Sequence, residues 1–325
     1  MKFTFTPLVA ALAAALAAAP APALAQQYPD KPIRLIVPFP PGGSNDIVGR
    51  LMANELTGRI GQQVVVDNRG GAGGIIGSNL AAQARPDGHT LLIISVAFAY
   101  NPSIYKSNLQ FDPDKSFTPV AILGTGPNAF TVNPKLPVKS VKELIALAKA
   151  QPGKINYATA GIGSFQHLSS EMFRVMTGVD IVHVPFKGGG PAMADVMAGN
   201  TQICIGSLIQ VIPHIRTGRL RAIATGGAKR APALPDVPTV IEAGVPGYEA
   251  NNWWGVLAPA GTSPAIVNRL NKEFGVILAK PEIQKTFESQ GAETLSMSPA
   301  EFTKFIRAEN AKWAKVVKAA NIQAQ

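Results

Sequence analysis

The stretch "VPFPPGGSNDIVGRLM", Val37 to Met52, halts an apolar run at Pro40-Pro41-Gly42-Gly43 and begins a helical pattern directly after Ser44, Asn45 and Asp46. Upstream, Ile33 to Phe39 reads as a β-strand. Downstream, Ile47, Val48, Leu51, Met52 and Leu56 recur near the helical period of 3.6. A rigid elbow, a bare backbone and a helix start in one place leave unpaired N–H groups facing outward. The positive end of the helix dipole adds to them, so the junction suits a negatively charged group. Glycine lets that group approach the backbone closely.

The same junction recurs along the chain. Gln63 to Asn68 reads as a strand, and "RGGAGGIIGSNLAAQA" (Arg69 to Ala84) as a glycine-rich entry into a helix. His89 to Ser95 is a strand again, and the whole run Leu91 to Tyr100 is strand-sized. Ser140 and Glu143 form a capping box for a helix through Lys149, closed by Pro152 and Gly153. Ile155 to Thr159 leads into "AGIGSFQHLSSEMF", and Ile181 to Phe186 into "KGGGPAMADVMAG", with Pro191 suited to a first turn. "QICIGS" and "RAIAT" are further short strands, and the C-terminal part is helical over 264–279, 282–289 and 298–320.

Strand, loop and helix repeated this often predict a mostly parallel sheet with helices on its faces. Ligands of such sheets bind beyond the carboxyl ends of the strands. Four elbows stand there: Pro40–Asp46, Gly70–Gly74, Ala160–Ser164 and Lys187–Pro191. Two precede the middle of the chain and two follow it, which points to two lobes facing one cleft.

Composition narrows the class. Lys2, the apolar run Leu8 to Ala19 and Ala23-Leu24-Ala25 read as a secretory signal cleaved after Ala25, leaving a 300-residue mature chain. No later run is long and apolar enough to span a bilayer. Cys204 is the sole cysteine, so no disulfide forms within the chain and stability rests on a core. Without Lys2, 29 basic residues stand against 20 acidic ones, but dispersed, with no aromatic stripe between them. Nucleic acid is therefore not an expected partner, and a mild preference for small anions remains.

Motifs of cofactor and metal chemistry are missing. Gly71-Ala-Gly73 meets Ile76, and Gly161-Ile-Gly163 meets Gln166, where the dinucleotide fingerprint needs glycine. There is no phosphate-binding G-x-x-x-x-G-K-[ST], no H-E-x-x-H and no G-x-S-x-G. His89, His167, His183 and His214 are scattered singly, so no metal is expected. Ser164 and His167, three apart at a helix start, read as a cap rather than a nucleophile and base. No catalytic residue and no cofactor are assigned.

The segments "YPDKPIRLIVPFPPGGSNDIVGR", "NRGGAGGIIGSNLAAQARPDGHTLL", "PGKINYATAGIGSFQHLSSEMF", "VPFKGGGPAMADVMAGN" and "LPDVPTVIEAGVPGYEANNWWGVLAPAGTS" follow one another in order over nearly the whole mature chain. Together they resemble the Bug-type extracytoplasmic solute receptors of tripartite tricarboxylate transporters. The resemblance implies a type II periplasmic-binding-protein fold, two α/β lobes with a ligand cleft between them. It also implies a periplasmic, monomeric receptor, not an enzyme, that passes a small carboxylate to two membrane subunits. The acid itself is left open: a di- or tricarboxylate, an acidic amino acid, or a nicotinate- or benzoate-like ring. The alternative is an exported enzyme or ligand-sensing partner on the same scaffold.

The expected division is a signal at 1–25, one lobe from 26–125 plus a return at 248–325, and the other lobe at 126–247. Residues expected at the ligand are Phe39, Gly42, Gly43, Ser44, Asn45 and Asp46 from the first elbow, and Ser95 and Ala97 after the third strand. Thr159, Ala160, Gly161, Gly163, Ser164 and His167 join them, with Lys187, Gly188 and Gly189 from the fourth elbow and Ser207 after "QICIG". Asp46 is the one acid among the elbows that would meet a ligand ammonium, unless its own helix start occupies it. The aromatics near the loops (Phe98, Tyr100, Phe165, Phe186, Trp253 and Trp254) are expected to fill the lobes, with one or two reaching the cleft.

Overall fold

The computed structural model describes residues 28–105, 109–319 and 322; the expected signal segment and its cleavage site lie outside them. Strand β1 (Ile33–Val37) carries the opening apolar run and is buried on both faces. Helix α1 (Ser44–Ile60) follows the elbow, with Gly43 as N-cap and left-handed Gly61 ending it. Then come β2 (Val64–Asn68), a 3₁₀ turn at Ala72–Gly74, α2 (Ile75–Ala82), β3 (Thr90–Ser95) and α3 (Ala97–Ile104). The run Leu91 to Tyr100 is therefore not one strand: it turns into helix after Ser95. Both parts are fully buried, so no periodicity separated them.

The long strand β4 (Phe117–Val132) leads to α4 (Val141–Ala150), β5 (Ile155–Thr159), α5 (Phe165–Thr177), β6 (Ile181–Pro185) and α6 (Gly189–Ala198). After these come β7 (Ile203–Ser207), α7 (Leu208–Arg216), β8 (Arg221–Thr225) and β9 (Asn251–Pro259). The chain ends with α8 (Pro264–Leu278), α9 (Pro281–Ser289), the short β10 (Glu293–Thr294) and α10 (Pro299–Ala319).

The strand order is β2-β1-β3-β9-β4-β7-β5-β6, with β8 and β10 also pairing β4. β1 pairs β2 and β3 in parallel, and β5 pairs β6 and β7 in parallel. Every ladder that involves β4 or β9 is antiparallel. The expectation of a mostly parallel sheet is corrected to a mixed one. Neither β4 nor β9 stood out in the sequence, because Pro119, Gly124, Gly126 and Pro127 interrupt the β4 pattern.

β4 holds the two lobes together. Its residues 117–127 pair β9, and its residues 128–132 pair β7 and β8, so the partners change between Pro127 and Asn128. The strand runs unbroken through the expected division at 125/126. The returning chain crosses beside it: Asn128 N–H donates to the Ala250 carbonyl at 3.2 Å, and Ala250 N–H to Gly226 at 2.9 Å. Asn128 Nδ2 also donates to the Tyr248 hydroxyl at 2.8 Å. The result is two α/β lobes joined by paired crossing segments.

Trp253 and Trp254, adjacent on β9, enter the apolar clusters on opposite faces of the first lobe's sheet. Trp254 belongs to the cluster that also holds the α1 and α8 side chains Leu56, Leu270 and Phe274. Trp253 packs with Phe302 and Phe305 of α10. Tyr100 is also core, edge-on to Trp313, so neither tryptophan nor Tyr100 reaches a ligand surface. Among the described residues no helix is long and apolar enough to cross a membrane.

Candidate functional site

The first elbow is built around Asp46. Its carboxylate accepts from the Gly42 N–H at 3.0 Å and from Asn68 Nδ2 at 2.9 Å, and it pairs with Arg50 at 3.0 Å. Burial alone would raise its pKa; the bonds from Arg50, Gly42 and Asn68 outweigh that and hold the carboxyl below the usual carboxylate range. Asp46 is thus occupied by its own helix start. Because the N-cap is Gly43, which has no side chain, no N-cap side chain bonds the first turn of α1. The Asp46 and Ile47 N–H groups bond the Gly43 carbonyl at 3.0 Å, and those of Ser44 and Asn45 are left to whatever enters the cleft.

The third elbow is organised differently. Ala160 N–H donates to Gln166 Oε1 at 2.7 Å, Gly161 N–H to Thr159 Oγ1 at 3.2 Å, and Gly163 N–H to His167 Nδ1 at 3.3 Å. Ser164 N–H bonds the Gly161 carbonyl, and its hydroxyl caps α5 by accepting from His167 N–H. Thr159 Oγ1 stands 2.7 Å from His183 Nε2, turned into the lobe. The backbone donors expected to meet a ligand at Ala160, Gly161, Gly163 and Ser164 are therefore engaged within the elbow.

Behind it, the His167 and His183 rings stack at 4.2 Å between centroids. Burial lowers the His167 pKa to about 4, and burial also lowers that of His183. A neutral His167 is what its acceptor role toward Gly163 requires.

The four elbows meet. A Cβ on Gly70 would stand 2.6 Å from Pro40 Cδ, and one on Gly188 would stand 2.8 Å from Pro40 Cγ. Pro40 is thus clasped by the second elbow of its own lobe and the fourth elbow of the other. Gly190 lies against the Pro41 carbonyl, and Gly73 against the Ile162 carbonyl. The lobes are closed upon each other.

Between them lies a cleft of about 380 Å³, including the solvent space at its mouth. The first lobe contributes Phe39, Gly43, Ser44, Asn45, Ser95 and Asn252; the second contributes Ala160, Ser164, Phe165, Gln166, Gly189 and Ser207. Among the described residues no charged side chain lines it. Two polar atoms in its walls are buried without a partner, Asn45 Nδ2 and Ser207 Oγ. They stand on opposite lobes, and both can donate. An unpaired buried donor costs roughly 1–3 kcal/mol, so an acceptor placed between them is favoured.

Of the residues expected at the ligand, Phe39, Gly43, Ser44, Asn45, Ser95, Ala160, Ser164, Gly189 and Ser207 line this cleft. Gly42 and Asp46 lie one step behind, in the capping bonds of α1. Thr159, Gly161, Gly163 and His167 form the internal frame of the third elbow. Gly188 is consumed by Pro40, Lys187 is exposed outside the lining, and Ala97 lines a smaller neighbouring pocket that shares Phe39 and Ser95 with the cleft. Sequence reading missed Gln166 and Asn252 as lining residues and placed Phe165 only among the possible ones. Asn252 donates to Ser44 Oγ at 3.2 Å, and Gln166 bonds Ala160; both sit in strand or helix, outside the glycine signal that marked the elbows. Among the described residues no group of three or more His, Cys, Asp or Glu side chains is placed to hold a metal.

A family model described as the tripartite tricarboxylate transporter family receptor matches residues 48–322. Protein BugT of Bordetella pertussis is 40% identical over 304 residues, covering 92% of this chain and 92% of that one. An R. palustris protein solved with adipate superposes with a TM-score of 0.89 at 37% identity, over 91% of this chain and 99% of its own. The periplasmic binding protein BugD superposes with a TM-score of 0.88 at 34% identity, over 92% of this chain and all of its own.

Proposed function

The chain belongs to the tripartite tricarboxylate transporter receptor family, and from that premise we propose that its interlobe cleft captures a small organic carboxylate. The adipate bound by the R. palustris neighbour supports an organic acid as the ligand class. The observation that carries the reading is the pair of unpartnered donors, Asn45 Nδ2 and Ser207 Oγ, facing one space beside the start of α1, which no N-cap side chain bonds. Neutral donors and a helix dipole hold an anion without any lysine or arginine.

The receptor acts in the periplasm as a monomer and binds without turnover, delivering the acid to two membrane subunits. Its lobes divide at 26–125, 126–247 and 248–325, after a signal at 1–25. With Asp46 occupied by Arg50, Gly42 and Asn68, the ligand carries no ammonium group that needs a partner.

The test is calorimetric titration and thermal shift with succinate, glutarate, adipate, citrate, glutamate, nicotinate and benzoate. At least one amino-free acid is expected to bind one to one and raise the melting temperature, with no product formed, because a ligand of the folded state alone stabilises it. A panel in which none binds, or in which the acid is consumed, overturns the reading.

A further inference from the structure

The tip of the third elbow, Ile162 and Gly163, is gripped by three residues of the first lobe. The Tyr105 hydroxyl donates to the Ile162 carbonyl at 2.9 Å. A Cβ on Gly73 would stand 2.8 Å from that same carbonyl and 3.3 Å from the carbonyl of Gly163. A Cβ on Gly163 would stand 2.9 Å from the Tyr105 ring and 3.1 Å from Asn101 Oδ1. Asn101 is itself fixed there, because its Nδ2 donates to the Gly73 carbonyl at 2.8 Å.

Behind the tip, Gly163 N–H donates to His167 Nδ1 at 3.3 Å, and the His167 backbone is anchored by the Ser164 cap. A backbone N–H only donates, so Nδ1 must be bare and the ring proton must sit on Nε2. A second proton would put an N–H on Nδ1 as well, and two donors would then face each other where one bond stood. Gly163 would have to turn away, and the tip with it.

The groups around the ring set how readily that happens. His183 of β6 stacks on it at 4.2 Å between centroids, and Tyr157 of β5 stacks on His183 at 5.1 Å. On its own helix, Glu171 accepts from the Tyr157 hydroxyl and from Arg174 at 2.8 Å, so its charge is already shared. Tyr105 stands across Gly163 from the first lobe. Burial, His183 and Arg174 favour the neutral ring and Glu171 the charged one; the balance keeps it neutral at pH 7.

We propose that His167 is the positioning residue of an interlobe latch: its bare Nδ1 aims the Ile162–Gly163 tip at Tyr105, and a proton on that nitrogen releases the tip and weakens ligand capture. This rests on the capture reading above and goes beyond it, placing control of closure by protons outside the residues that line the cleft.

The experiment is calorimetric titration with adipate, or with whichever acid of the panel raises the melting temperature. It compares the wild type with His167→Ala, His167→Asn, Tyr105→Phe and the His167→Ala/Tyr105→Phe pair. At pH 7 His167→Ala, which orphans the Gly163 N–H, is expected to bind roughly fivefold or more weakly, and His167→Asn, which restores an acceptor, to recover most of that loss. With Tyr105→Phe already present, His167→Ala is expected to cost at least about twofold less, because the bond it aims is gone. At pH 4 about half of the wild-type rings are charged. Wild-type affinity is then expected to drop at least about twofold more than that of His167→Asn, the acid's own titration affecting both alike. A purely structural role would lower stability without moving either difference. Wild-type affinity in a folded His167→Ala, or parallel pH profiles for the wild type and His167→Asn, overturns the latch while leaving the carboxylate reading standing. If His167→Ala does not fold by circular dichroism, the pH comparison with His167→Asn decides alone. A wild type that binds none of the acids overturns that reading, and the latch with it.

Discussion

The Tyr105 hydroxyl donates to the Ile162 carbonyl at 2.9 Å. Tyr105 follows α3 in the first lobe, and Ile162 is at the tip of the third elbow in the second. The bond therefore closes one side of the cleft while Pro40 and Gly188 close another. Gly163 is glycine beneath it because a Cβ there would stand 2.9 Å from the Tyr105 ring, and its φ of +69° is one that other residues rarely adopt.

Tyr105→Phe removes this one neutral hydrogen bond, worth about 0.5–1.5 kcal/mol net. If the bond exists only when the lobes are closed, ligand binding weakens roughly two- to tenfold, while the melting temperature of the free protein barely moves. Titration and melting of the same variant check both halves. Wild-type affinity would show that the contact does not contribute to closure.

Gly188→Ala forces a side chain against the Pro40 ring at a φ of +126°. The collision is between lobes rather than within one, so it props the cleft open. Affinity should fall about tenfold or more, and the radius of gyration with saturating ligand should stay at the unliganded value. Small-angle scattering with and without the bound acid reads this directly.

The commitment of Asp46 has two consequences. Glutamate should bind no more tightly than glutarate, because no free acid meets its ammonium. Asp46→Ala should destabilise the fold by about 2 kcal/mol, through loss of charged hydrogen bonds to Gly42, Asn68 and Arg50. Chemical denaturation measures the second, and titration of the wild type the first.

His167 makes stability depend on pH. In the folded protein its pKa is lowered by burial, with His183 adding to the effect, from 6.5 to about 4. The unfolded chain therefore binds the extra proton first, and stability falls as pH drops from 6.5 toward 4, then levels off for this group. The loss amounts to about 3 kcal/mol at most. Glu171 acts in the same direction at the acid end: burial opposes, but its bonds from Arg174 and Tyr157 prevail and lower its pKa. His167→Asn keeps an acceptor for Gly163 and removes the titration, so the slope of melting temperature between these pH values should flatten. An unchanged slope would assign the dependence to other groups.

Glu309 Oε2 accepts from both Trp253 Nε1 and Trp313 Nε1, each at 3.0 Å. Glu309→Ala orphans two indole donors, and at roughly 1–3 kcal/mol each the variant should lose about 2 kcal/mol or more. Denaturation followed by tryptophan fluorescence would show the loss together with a spectral shift of the native state.

Much of this architecture is legible one element at a time. The elbow at Pro40–Gly43, the capping box at Ser140, and the short strands ahead of each glycine run announce themselves, because caps, turns and periodicity are local chemistry. In the Ser140 box, Glu143 N–H donates to the serine hydroxyl at 3.2 Å, while the glutamate accepts from Lys139 N–H rather than from Ser140. β4, β9 and α7 are not announced. The two strands are buried on nearly all sides or interrupted by proline and glycine, so no period appears and only their partners make them strands, while α7 is short and carries Pro213 inside it.

The site divides along the same line. Sequence alone determined that glycine-rich helix entries gather at the carboxyl ends of the strands, that no cofactor or metal motif accompanies them, and that Ser44, Asn45, Ser164, Gly189 and Ser207 stand at those ends. Only the tertiary structure decided which donors remain available. The N–H groups of Gly161, Gly163 and Ser164 turn out to be spent within their own elbow, and the Asp46 carboxylate on Gly42, Asn68 and Arg50. Asn45 Nδ2 and Ser207 Oγ remain free. The physical reason is that a donor's availability depends on every acceptor within about 3 Å of it. The nearest acceptors here come from residues dozens of positions away, brought together when β4 and β9 join the lobes.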